Sequence, residues 1–105
     1  LSEYDEYQVG KALDTLNLEV LYRNGGETAL LVDGEPVKVT LMDRADESPY
    51  QMLDEVYGYD VWMVVQIGDQ FFKKFGYWTS HEGRSWQGYK CVEVFPKTKT
   101  VEYYE

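Results

Sequence analysis

The stretch Val61-Trp62-Met63-Val64-Val65-Gln66-Ile67 is apolar at all but one position and stops at Gly68-Asp69. It is far shorter than the about 20 residues a membrane helix needs, and its β-branched content favours a strand. An apolar run of this kind marks a central strand covered on both faces. Gly68-Asp69 supplies Gly at the first central position, as a type II′ hairpin turn requires. Gln70 to Thr79, rich in Phe and Tyr, therefore reads as the returning strand. A hairpin at the centre of a sheet needs further strands beside it.

The flanks supply strands and helices alike. Ser2 is placed to cap a helix whose first turn holds Glu3, Asp5 and Glu6, with Val9, Ala12, Leu13 and Leu16 at helical spacing. Leu18 to Tyr22 reads as a strand ending at Asn24-Gly25-Gly26, although the same residues suit a continuation of the helix. Thr28 to Val32 and Val37 to Leu41 form a hairpin around Asp33-Gly34, a type I′ pair. Ser48-Pro49-Tyr50-Gln51 is a capping box with Pro at the first helical position, and it predicts a helix over 49–57. Ser80 to Ser85 reads as a polar loop, Tyr89 to Phe95 as a strand, 96–99 as a turn and Thr100 to Tyr104 as a closing strand. The expected class is α+β: one domain over 1–105, a twisted antiparallel sheet of about five to seven strands with one or two short helices.

Length and composition agree with that class. A chain of 105 residues buries roughly two-thirds of its unfolded surface. The lone Cys91 excludes an internal disulfide and a Cys-based zinc site, and suits a reducing compartment. The opening at Leu1 rather than Met is read as a trimmed start, and the bacterial cytoplasm is the expected location. Charge is uneven. Residues 1–60 carry fourteen Asp/Glu against four Lys/Arg, a net of −10; residues 61–105 carry five against six, a net of +1. Direct nucleic-acid binding is not expected, because it draws on positive charge to displace counterions. The acidic half points either to solubility or to a basic partner.

The second half also carries a resemblance. Asp60 to Ser80, with Phe71-Phe72-Lys73-Lys74-Phe75-Gly76-Tyr77-Trp78-Thr79-Ser80 after the apolar strand, is similar to small uncharacterised proteins of tailed bacteriophages with a "YFKK-GYYSS" strand. Ser85-Trp86-Gln87-Gly88 resembles their Trp-Asp-Gly loop, and Val92 to Pro96 their "EVxP" segment. Lys99 to Glu105 resembles their "KTVTVYE" ending, and Leu16 to Glu27 their strand with a Gly-Gly-Glu turn. Residues 28–58, hairpin and capped helix, look like an addition specific to this member. The resemblance implies a phage origin. Small non-structural phage proteins are often inhibitors of host enzymes or defence systems such as CRISPR, and that role is what the resemblance implies here.

No residue set composes an active site. His81 lies between Ser80 and Glu82, but neighbours in sequence rarely face one another as a triad demands. Phosphate-cradling glycine patterns are absent, and no cofactor is expected. Asp43, Asp46 and Glu47, then Asp54, Glu55 and Asp60, lack the glycine and final glutamate of a calcium loop, so no metal is expected. Joined by Asp5, Glu6 and Asp14, they would instead form an acidic face for a basic host or defence protein. Regular carboxylates can imitate DNA, which presents one charge per roughly 1.7 Å. Trp78 and Trp86, flanking a loop with Arg84, are either core or interface anchors. Along an extended strand Phe71, Phe75 and Tyr77 share one face, and Phe72 and Trp78 the other.

Overall fold

The computed structural model describes residues 4–46 and 58–95. The first helix, α1 (Glu6–Leu13), begins later than Ser2 suggests. Asp5 is its cap: Asp5 accepts from the Gln8 amide at 2.7 Å, and the Gln8 side chain accepts from the Asp5 amide at 3.1 Å. That reciprocal box satisfies two orphan donors at once and fixes the start. The next segment is a second helix, α2 (Leu18–Asn24), set off from α1 by a turn, so the strand reading of Leu18–Tyr22 is corrected: the residues are helical, in a helix of their own rather than a continuation of the first. Leu18, Leu21 and Tyr22, at helical spacing, are buried together, and Glu19 bonds Arg23 one turn on at 3.1 Å.

Six antiparallel strands follow: β1 (Glu27–Val32), β2 (Glu35–Asp46), β3 (Gly58–Ile67), β4 (Gln70–Thr79), β5 (Gly83–Ser85) and β6 (Cys91–Val94). The chain is thus α+β, as expected. Both glycine turns hold: Asp33 and Gly34 have φ of 53° and 83°, and Gly68 has φ of 61°. The strand order is β1-β2-β3-β4-β5, with β6 sharing the outer edge of β4. β2 runs well past Leu41, with a register shift between Leu41 and Asp43. The expected loop 80–85 contains β5, which pairs with the end of β4, and β6 is shorter than Tyr89–Phe95. The helix expected at 49–57, the turn at 96–99 and the strand Thr100–Tyr104 lie outside the described residues.

Both helices cover one face of the sheet. Val9 and Leu13 of α1 and Leu18, Leu21 and Tyr22 of α2 share one core with Leu30, Val32, Val39, Val61, Met63, Val65, Ile67 and Phe72. Each such aliphatic side chain contributes about 1.5–3 kcal/mol by leaving water. β3 is therefore central in the order but alternates in burial: Val61, Met63, Val65 and Ile67 are buried, while Trp62, Val64 and Gln66 are half-buried. The expectation of a strand fully covered on both faces is corrected, since the described helices lie on one side only. β4 splits its aromatics as its parity requires, with Phe72 in the core and Phe71, Phe75 and Tyr77 on the far face.

Candidate functional site

The described carboxylates sort by element. Asp5, Glu6 and Asp14 belong to α1 and its caps, on the helix side of the sheet. Asp43 and Asp60 are exposed on the other side, where Asp43 pairs with Val64 and Asp60 with Tyr77. The single acidic face is thus not assembled by these five residues. Asp46 ends β2, and Glu47, Asp54 and Glu55 lie outside the described residues.

Around α1 the acids converge. Glu6 accepts from the Glu93 amide of β6 at 2.8 Å, which seals that strand edge with a charge-assisted bond. Asp33, in the β1–β2 turn, accepts from the Gln8 side chain. Glu93 accepts from the Gln70 side chain at 3.2 Å. Between α1 and β6 lies a groove of about 450 Å³, with Glu6 and Asp14 on one wall, Gly10 and Cys91 at its floor, and Tyr7 and Tyr89 at its rim. The two tyrosines are 75% and 43% exposed, and Lys11, which also lines the groove, lies over the Tyr7 ring at 5.5 Å. The floor is tight because α1 presents a glycine there: a Cβ on Gly10 would lie 3.2 Å from the Cys91 Cβ. Burial pushes the Cys91 thiol up to about 11, so it stays protonated at neutral pH and is a poor nucleophile.

Behind this groove is a buried charge. Lys74 is fully buried; its Nζ lies 3.2 Å from Asp14 Oδ1 and donates to the Tyr89 carbonyl at 2.6 Å. Asp14 Oδ2 accepts from the Gly88 amide at 3.2 Å. The pair ties α1 to β4 and to the 88–90 loop. Strand parity carries the only signal for it: Lys74 shares its side of β4 with Phe72.

A second cluster holds α2. Glu19 accepts from Arg84 Nε at 3.0 Å and Nη2 at 2.8 Å, from Trp86 Nε1 at 3.1 Å and from Arg23. Burial alone would raise the Glu19 carboxyl, but the donors from Arg84, Trp86 and Arg23 outweigh it and hold the group below its ordinary value. Arg84 lies over the Tyr22 ring at 4.6 Å, and Trp86 packs against Tyr22 at 5.2 Å. Trp86 is 6% exposed, so the interface-anchor reading of it is corrected to core. It fits because β4 has Gly76 beneath it, where a Cβ would meet the indole at 2.6 Å. Trp78 stacks on Tyr59 at 4.8 Å and is half-buried. Arg84 is committed to Glu19 rather than offered at the surface. His81 sits in an exposed turn.

Among the described residues, no three His, Cys, Asp or Glu side chains are grouped to hold a metal ion, and no helix is long and apolar enough to cross a membrane. Comparisons with protein-family models, curated proteins and solved structures find no match to this chain.

Proposed function

We propose that this is a non-enzymatic binding protein, phage-encoded, that inhibits a host or defence protein by occupying a basic surface with the acidic side of α1. One observation carries the reading. Asp5, Glu6, Asp33 and Glu93 gather around α1 beside a groove rimmed by two exposed tyrosines, apart from Asp14, which anchors Lys74. Carboxylates flanked by aromatic rings suit a guanidinium or ammonium group, which gains from both the charge and the ring faces. Asp43 of β2 and Asp60 of β3 lie on the other side of the sheet from this patch, which favours a local contact over imitation of a long nucleic-acid backbone. Lys11 of α1 lies over the Tyr7 ring beside these acids, so the patch is acidic in excess rather than uniformly; that excess speeds association with a basic groove and loses its advantage as salt rises.

A second reading rests on a different observation. Asp5 caps a helix, Asp14 pairs a buried lysine and Glu19 holds an arginine fork. Acids so employed suit an accessory phage protein whose remaining charge serves solubility. The test that separates the two begins with affinity capture from bacterial lysate and identification of the bound protein. Association rates are then compared between the parent and the triple variant Asp5→Asn, Glu6→Gln, Asp33→Asn, which spares Asp14. Slower association and a flatter salt dependence in the variant support inhibition through α1. Equal rates at every salt concentration favour the solubility reading.

A further inference from the structure

The sequence holds two asparagines, Asn17 and Asn24, and only Asn24 precedes a glycine. An asparagine carboxamide and the next backbone nitrogen sit in one short stretch of chain, so a reaction between them is intramolecular and gains from proximity. A side chain on the following residue obstructs that nitrogen. Glycine has none, and its backbone turns freely. Asn24 is exposed, and Gly25, with φ of 72°, follows it as the C-terminal cap of α2.

The fold holds this dipeptide in an unreactive shape. Asn24 is the last residue of α2, and ring closure requires a ψ far from the helical value of about −42°. The nitrogen that would attack donates its hydrogen to the Leu21 carbonyl at 2.8 Å. The chain is tied to β2 on either side: Arg44 donates from Nη1 to the Tyr22 carbonyl, and the Gly26 carbonyl accepts from the Leu41 amide at 2.8 Å. The Leu21 bond closes the final turn of a seven-residue helix, and helix ends are where local opening starts.

We infer that Asn24 is a self-modification site, converted to aspartate and isoaspartate, and that the clamped end of α2 is its guard. When the last turn opens, the Gly25 nitrogen gives up its proton and bonds to the Asn24 Cγ. The bond from Cγ to the side-chain nitrogen breaks, and that nitrogen leaves with a proton as ammonia. A five-membered succinimide remains. Water then adds to one of its two carbonyls. Opening on the Cγ side gives aspartate, and opening on the main-chain side gives isoaspartate. One water is consumed and one ammonia released, with no oxidant or reductant. Both products loosen the end of α2. Aspartate puts negative charge at a helix C-terminus, where the dipole disfavours it. Isoaspartate lengthens the main chain and draws the Gly25 N–H away from Leu21. The contact weakened is the one α2 makes through Glu19 and Tyr22 with Arg84 and Trp86. The acidic patch on α1 plays no part in it.

Peptide mapping by mass spectrometry, on the full chain incubated at neutral pH with and without urea, tests this. A gain of about one mass unit marks a converted asparagine. Asn17, which precedes Leu18, is the internal reference. Asn24 should convert faster than Asn17 in the folded chain, and on the order of tenfold faster again in urea, where the guard is gone. Arg44→Met unties β2 from the Tyr22 carbonyl. It should speed conversion several-fold in the folded chain and leave the rate in urea unchanged. Near-ultraviolet circular dichroism checks that the variant is folded; should it not fold, the folded-to-urea ratio of the parent decides. Conversion of Asn24 no faster than that of Asn17 in the folded chain overturns the inference. So do equal rates with and without urea, or a folded Arg44→Met that converts no faster than the parent.

Discussion

The two helices are fastened to the same sheet by the same kind of device, an acid on the helix side and a cation on a strand, yet the two fastenings differ in environment. Asp14 meets a lysine that is fully buried, whose ammonium has one carboxylate and one carbonyl for company. Glu19 meets an arginine fork at the protein's margin, 20% exposed, with a tryptophan N–H and a second arginine sharing the load. A buried point charge depends wholly on its counter-ion, because water cannot replace it. A forked, partly wet cation loses less when its partner goes. The first fastening should therefore be brittle and the second tolerant.

The largest effect is expected from Asp14→Ala, which strands the Lys74 charge. Breaking a buried pair from one side costs about 3–5 kcal/mol, and urea unfolding measures it. A loss below that of Glu19→Ala would invert the comparison. Glu19→Ala comes next. It removes charge-assisted bonds worth about 1.5–3 kcal/mol each before water replaces part of them, so the measured loss should fall near the lower end. Equal losses for the two variants would mean that burial of the cation does not set the cost.

Acid sharpens the contrast further. The Glu19 carboxyl is held below its ordinary value, so its contribution is fully present above the unfolded-state value and disappears as pH falls through the folded one. Stability measured from neutral pH downward should drop over that window. Glu19→Ala should flatten the drop, starting lower and losing less. The smallest effect is expected from Gly10→Ala on the α1 side. Alanine gains up to about 1 kcal/mol of helix propensity. The new Cβ would press on Cys91 at 3.2 Å, and the two contributions should nearly cancel in thermal unfolding. A large loss would show that α1 and β6 cannot give at that contact.

What could be read in the sequence was what short range decides. The β3–β4 hairpin and both tight turns are set by adjacent residues, glycine above all, and the structure has them where the sequence implies. The helical state of α2 was legible only as one of two readings. Leu18-Glu19-Val20-Leu21-Tyr22 suits a strand by composition, and what settles it is packing of Leu18, Leu21 and Tyr22 against residues far along the chain. Trp86 could not be assigned from its neighbours, because the space it fills is left by Gly76 on a different strand. The pairing of Asp14 with Lys74 joins the end of α1 to a strand far along the chain, and no local pattern announces a buried lysine beyond its parity with Phe72. The acidic bias of the first half was visible at once. Its division between anchors, a patch on α1 and isolated surface charges needed the fold.

That division rests most directly on Asp14 being an anchor rather than a surface charge. A double-mutant cycle on Asp14→Asn and Lys74→Met, read by equilibrium urea unfolding, tests it. The expected result is a strongly destabilised Asp14→Asn single variant and a double variant that recovers most of the loss, because removing the lysine charge removes the need for its partner. A double variant as unstable as the two single losses added together would contradict the account, since Asp14 and Lys74 would then contribute independently.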